Sequence, residues 1–356
     1  MPYTQESESA AMQAVTEPVT ETADTSVQHA NGTTAASEKI PMICESFIAN
    51  RDSLRKAVKL ENMNMYVLAA YILTTAGVTA DAEKLKALRK IISKKVSSIS
   101  YLVVRTELPL LAELCLTADP EAAVEKISRI YDVMKKRCGR SFYVAMLAIL
   151  LSRTYDEEQA AQIAERGKAL FDAFQKKHPI ITSDRDVAAA CLLALSDKTD
   201  GELLAECEET HSHLKTAFSD STFPQFCAYI LCLTYGLPED KVTRLLELFF
   251  ALEGAKKKYP KGHEMEVLAA LSLTDIRTGE LMDTVIQVEA FLSKQPDYGF
   301  FSGFDEKRRL MNAAMLAAAA YGDSRFTAVN IMAAIVALAA EKEEDDAAAA
   351  AIIAAT

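Results

Sequence analysis

The sequence predicts an all-α protein: an array of about seven antiparallel helical hairpins, an α-solenoid or an α/α toroid, behind a disordered acidic N-terminal tail. Three observations predict it. Apolar segments of one pattern recur about every 40 residues. Each is followed by an amphipathic stretch with helix start and stop residues. No alternating strand pattern appears in the 356 residues.

The tail is residues 1–38. It carries Glu6, Glu8, Glu17, Glu21, Asp24 and Glu38 with no Lys or Arg, and no apolar periodicity. Such a stretch cannot bury enough surface to offset its ordering entropy. It supplies six of the net −11 charges, so the body, read as one domain over 39–356, is mildly acidic. That balance argues against a general nucleic-acid binder, which needs a basic surface. Asn31-Gly32-Thr33 matches a glycosylation triplet, which has no meaning without a secretory route. The start of the chain lacks the basic and apolar regions of a signal peptide.

The repeated segments are LAAYILT (68–74), LAELCLT (111–117), MLAILLS (146–152), ACLLALS (190–196), AYILCLT (228–234) and LAALSLT (268–274). Each ends in Leu then Ser or Thr, at steps of 43, 35, 44, 38 and 40 residues. A weaker seventh copy covers 314–321. A period near 40 is the signature of stacked helical pairs, whose faces are hidden by their neighbours. It overrides the two domains that length alone suggests. The longest uncharged run, 221–238, is a marginal membrane candidate by length, but it contains Pro224 and Gln225 and ends in Gly236-Leu237-Pro238. It reads as a buried core helix.

Each copy reads as a buried apolar helix, a short polar turn and a longer amphipathic helix. In the second copy Asp119 is placed to cap a helix, with Pro120 at its first position. Val124, Ile127, Tyr131, Met134 and Cys138 follow at helical spacing, and Gly139 stops it. The third long helix starts near Asp156 and ends at His178-Pro179. The fifth starts at Pro238 and ends at Tyr259-Pro260. Ser183 with Asp186 makes a capping-box pattern, and Thr106-Glu107 and Ser141 are read as helix starts. After the acidic run 341–346 the Ala/Ile-rich end extends the last helix.

Candidate sites sit on this frame. Long helices end in cations such as Lys94-Lys95, Lys135-Lys136-Arg137, Lys176-Lys177 and Lys256-Lys257-Lys258. These complement helix dipoles. Stacking also gathers them on one edge as a basic ridge, where Lys135, Lys136, Lys256 and Lys257 are candidate contacts for an acidic partner or for the tail. Cys207 and His211, four apart on a helix, are candidate metal ligands, although a metal site usually needs three or four. His263-Glu264-Met265-Glu266 resembles half of a zincin motif without the second His. Asp184 and Asp186 are a candidate carboxylate pair, and Glu107 and His178 lie at related helix edges. The seven cysteines include no CxxC and lie mostly in apolar runs, so they read as buried thiols in a reducing compartment. No Gly-rich phosphate loop or dinucleotide fingerprint is present, and no cofactor is expected.

The stretch HPIITSDRDVAAACLLALS (178–196), with its His-Pro, its Thr182-Ser183-Asp184 start and its Ala-Leu run, resembles an uncharacterised all-helical bacterial family, domain of unknown function 4003. The Ala/Ile-rich end, 347–356, is similar in flavour. The resemblance spans roughly 43–356 and implies a bacterial, cytoplasmic helical protein. It implies nothing about chemistry. The expected function is a protein- or peptide-binding scaffold, with no nucleic-acid partner and no integral membrane segment. The alternative is an enzyme with a pocket inside a closed helical ring. A third possibility is membrane-surface attachment through residues 347–356.

Overall fold

The computed structural model describes residues 25–59, 61–98, 100–104, 106–179, 183–218, 223–298, 304–321, 327 and 329–340, with the backbone alone for 25–38. Among these residues there are helices and turns and no strand. The first helix, α1 (Thr25–Ala57), is the longest. Then come α2 (Met63–Thr75), α3 (Ala82–Lys95), the single turn α4 (Tyr101–Val104), α5 (Glu107–Cys115) and α6 (Pro120–Cys138). Next are α7 (Phe142–Leu151), α8 (Glu157–Lys177), α9 (Asp184–Leu193), α10 (Asp200–Ala217) and α11 (Pro224–Cys232). The described order closes with α12 (Pro238–Gly254), α13 (Glu264–Ser272), α14 (Thr278–Leu292) and α15 (Glu306–Tyr321), and a helical stretch at 329–340.

Two kinds of helix alternate, and burial separates them. In α2, every residue from Asn64 to Thr74 is buried. The same holds for 143–151 of α7, 186–193 of α9 and all of α11. Helices apolar all round must be enclosed all round. The longer helices bury one stripe: in α6 it is Val124, Ile127, Ile130, Tyr131 and Met134, with Cys138 half-buried. Their starts are chemically fixed. The Asp119 and Ser141 side chains accept from the amides of Ala122 and Val144. Asp156 and Gln159 form a reciprocal capping box. Thr106 departs from its expected role. Its hydroxyl donates to the Leu102 carbonyl at 3.1 Å and caps no amide, because it closes the turn after α4.

The pairing differs from the expected one. Each long helix packs on the short buried helix that follows it: α1 on α2, α3 on α5, α6 on α7, α8 on α9, α10 on α11, α12 on α13 and α14 on α15. Three of these pairs share a clasp in which a cation of the long helix satisfies the orphan carbonyls ending its partner. Lys84 donates to Cys115 O. Arg166 reaches Ala194 O and Ser196 O at 2.9 and 2.6 Å. Arg244 reaches Ser272 O and Ile276 O at 2.7 and 2.6 Å.

The two ends of the chain meet. The buried helices contact one another in sequence from α2 to α15, and α15 packs on α2. The long helices do likewise, and α14 packs on α1. Arg51 and Arg55 of α1 pair with Asp297, at 3.0 and 2.7 Å. Helix α1 starts at Thr25, inside the stretch expected to be disordered, because its C-terminal half is anchored between α14, α15, α2 and α3 and a nucleated helix extends at one bond per residue. Residues 1–24 and 341–356, with the acidic run and the Ala/Ile end, lie outside the described residues.

Residues 329–340 are buried on every face and share one core cluster with the inner helices. Asn64 at the start of α2 donates to Leu338 O at 3.5 Å. A helix buried all round must be enclosed by its neighbours, and the Asn64 contact ties its C-terminal part to the start of α2. The expected core helix at 221–238 is α11, nine residues long. No described helix is long and apolar enough to cross a membrane.

Candidate functional site

The four candidate catalytic residues do not come together. Glu107, in the first turn of α5, accepts from Arg89 Nε and Nη2 at 2.7 and 3.1 Å. His178, which ends α8, has Nε2 2.9 Å from Glu208 Oε1, and its ring lies 5.0 Å from that of His211. Asp184 is exposed. Asp186 is 1% exposed and accepts from the Ser183 amide and hydroxyl and, at 3.2 Å, from Gln225. Burial pushes its carboxyl above the ordinary range against these bonds.

Cys207 and His211 also diverge. The Cys207 thiol is buried, and burial first and then the neighbouring Cys232 push its pKa well up. His211 is half-buried against His178, and burial lowers its basicity, with the His178 charge adding to the effect. No group of three metal-ligating side chains forms among the described residues.

The cations at the long-helix ends are mostly tied down. Lys95 pairs with Glu121 and Glu125, Arg137 with Glu165, Lys177 and His178 with Glu208, and Lys257 with Glu289. Each pair joins one long helix, or the residues just beyond its end, to the next long helix. Lys135 pairs with Asp132 within its own helix and lies 5.4 Å from the Tyr131 ring centre. Lys256 and Lys257 lie beyond their helix, because α12 ends at Gly254 rather than at Tyr259. The Lys256 and Lys257 amides donate to Glu253 O and Leu252 O, with Lys256 at φ 61°, a left-handed C-terminal cap. Between them and Lys135–Lys136 stand α8 and α10, so the four candidates make no single patch. Lys136 and Arg140 are exposed and in no ion pair among the described residues. Arg140, Lys95 and Lys135, with Tyr101, Tyr131 and Asp132, line an open cleft of about 380 Å³ where α3, α4 and α6 meet.

A second cluster leaves almost no mark in the sequence. At the first turns of α9, α11 and α13, Arg185 crosses the Phe226 ring, 5.8 Å from its centre, and reaches His263 Nδ1 at 2.6 Å. Arginine can only donate, so this imidazole nitrogen accepts. Glu266 Oε1 lies 3.5 Å from His263 and 3.6 Å from Arg185. Glu266 is 0% exposed, and neither carboxylate oxygen has a hydrogen bond. Burial raises its pKa, opposed by His263 and Arg185. Its one trace in the sequence is the His263-to-Glu266 spacing, and the partner residues come from helices some 40 and 80 positions away in the chain.

The raised pKa of Glu266 makes a prediction. A carboxyl raised in the folded state adds stability that is complete below its unfolded value, near 4.5, and is lost as pH rises through the folded value. Glu266→Gln is therefore expected to flatten the loss of stability between pH 4.5 and 7. The change should be roughly 1.4 kcal/mol for each factor of ten by which folding tightens the hold on that proton. Urea unfolding at both pH values measures it, and an unchanged pH dependence contradicts the assignment.

The fold and these clusters define an all-α protein whose polar groups gather at helix ends around a filled core. The chain belongs to the family described as "Protein of unknown function (DUF4003)", whose model matches residues 50–343. The match ends before the Ala/Ile-rich segment. Neither the curated proteins nor the solved structures give a match.

Proposed function

We propose that the chain is an α/α toroid acting as a binding scaffold, which takes an acidic segment of a partner protein in the cleft between α3, α4 and α6. The observation that carries this reading is the lining of that cleft. It has three cations and two tyrosine rings. Lys95 is answered by Glu121 and Glu125 and Lys135 by Asp132, so Arg140 is the lining cation in no ion pair among the described residues, on a protein of net charge −11. Lys136, next in sequence to Lys135, is exposed and in no ion pair among them either. Such a local surplus steers and holds acidic chains, and salt weakens the attraction. Seven free cysteines fit the reducing, cytoplasmic setting that we propose with it.

The test is fluorescence anisotropy with a labelled acidic peptide, residues 1–24 of this chain, titrated with the folded protein at several salt concentrations. Reversal of Lys135, Lys136 and Arg140 to Glu is expected to weaken binding at least ~10-fold, about 1.4 kcal/mol. It should also reduce the salt dependence. Reversing Lys256 and Lys257 should leave this cleft intact. Equal, salt-independent affinity in the Lys135/Lys136/Arg140 variant overturns the proposal. The enzyme reading rests on a different observation, the buried Glu266 beside Arg185 and His263. Thermal stabilisation by a small molecule that Glu266→Gln abolishes would favour it.

A further inference from the structure

The structure assigns Cys138 and Cys191 as an oxidisable thiol pair that a hydroperoxide converts to an intramolecular disulfide joining α6 to α9 across α8. Their sulfurs lie 3.7 Å apart, from residues 53 positions apart in the chain. Cys138 is partly exposed, whereas Cys191 is fully buried. The close approach depends on α8. A Cβ added to Gly167 would lie 2.5 Å from Cys191 Sγ and 2.7 Å from its Cα, so only glycine lets Cys191 lie this close to α8. Cys138 Sγ also meets Ala164 O, at 3.7 Å, on the same helix. One residue of the pair is thus partly exposed, and its partner is enclosed.

The chemistry balances. The Cys138 thiolate attacks one oxygen of the hydroperoxide. The O–O bond breaks, the leaving oxygen departs as an alcohol or water, and Cys138 becomes a sulfenic acid. Cys191 sulfur then attacks the Cys138 sulfur. The S–O bond breaks, hydroxide leaves and takes the Cys191 proton as water, and the S–S bond forms. Two thiols lose two electrons and the peroxide gains them. The thiolate needed for the first step is favoured by the hydrogen bond with Cys191 and then by the Lys168 charge, which together outweigh burial and lower the Cys138 pKa.

The molecule contains its own comparison. Cys207 and Cys232 are also near enough to shift each other's titration, but both are buried. Proximity alone would oxidise both pairs, whereas proximity with partial exposure selects Cys138–Cys191.

The full chain is treated with hydrogen peroxide, blocked with a maleimide under denaturing conditions and mapped by mass spectrometry without reduction. The expected result is a Cys138–Cys191 linked peptide, loss of two of the seven titratable thiols and full reversal by dithiothreitol. In Cys191→Ser, Cys138 sulfenic acid should accumulate and be captured by dimedone. In Cys138→Ser, at a partly exposed position, no link should form and the remaining thiols should stay reduced. Failure to find the link, with Cys138 either untouched or oxidised past the sulfenic state in the wild-type chain, overturns the assignment. So does oxidation of Cys207–Cys232 at an equal rate.

Discussion

A chain ending at residue 326 is expected to lose its cooperative unfolding transition. Residues 329–340 bring Ile331, Met332, Ile335, Val336 and Leu338 into the core, all buried. They share one core cluster with α2, α7, α9, α11 and α13, whose buried runs have no polar side to turn to water once that core opens. A single large-to-small change at such a site costs about 2–5 kcal/mol, through lost transfer energy and the cavity left behind. Several together exceed the roughly 5–15 kcal/mol that holds a domain folded. Ile335→Ala, in the full chain, gives the graded version, with an expected loss of about 2–5 kcal/mol in urea unfolding. Differential scanning calorimetry reads the truncation. A sharp transition at the full-length temperature would mean that this helix is a passenger, and the buried runs would then need another cover.

The helices are legible in the sequence because their signals are local. Asp119-Pro120, Ser141 and Asp156 start helices by bonding amides three residues ahead, and the uniform apolar runs can only be enclosed helices. What escapes depends on residues far apart in the chain. The pairing of each long helix with the next short one is set by packing, and both partners are apolar enough to fit either neighbour. Residues 25–38 read as tail because α1 finds its neighbours α14 and α15 at the opposite end of the sequence. The helix at 329–340 is hidden for a related reason. An Ala-rich stretch reads equally well as an extension of α15 or as a separate helix, and only the neighbours that enclose it decide between the two.

The candidate sites fail and succeed on the same ground. The basic helix ends are visible, but not the carboxylates that answer them, which sit on the next long helix: Lys95 with Glu125, His178 with Glu208, Lys257 with Glu289. Lys256 reads as helical because nothing in Gly254-Ala255 announces that a lysine takes the left-handed cap. The Arg185–His263–Glu266 cluster and the Cys138–Cys191 contact each join residues of two helices distant in the chain, and residues that meet across helices leave no pattern of spacing along it. Asp186 is legible in its local role alone. It bonds Ser183 as the capping pattern requires, while its bond from Gln225 belongs to the next helix pair.

Asp297→Ala is expected to destabilise the protein by about 3 kcal/mol, the lower end of the range for breaking a buried ion pair. Arg51 is 2% exposed, and its Nη2 lies 3.0 Å from both Asp297 and Asp52. Its guanidinium carbon is 6.0 Å from the Tyr298 ring centre, and Tyr298 is held by Asn312 of α15. Asp52 is half exposed and half solvated, so it compensates only in part once Asp297 is gone. The penalty is that of a buried cation without its counter-charge, and this separates two readings of the seam. If Arg51 and Asp297 act as a charge pair, Arg51→Met combined with Asp297→Ala should recover most of the loss, because no buried charge remains and the methionine keeps the apolar contact with Tyr298. If the double variant is as unstable as the sum of the single ones, the seam is held by packing alone. A loss below about 0.5 kcal/mol for Asp297→Ala would show that closure does not depend on this contact. The measurement is urea unfolding of the four proteins, compared at equal slope so that stability and cooperativity are not confused. A change in slope would itself be informative. It would mean that the first and last helix pairs unfold apart from the rest, as an open array would, whereas a closed one must release both ends of the chain together.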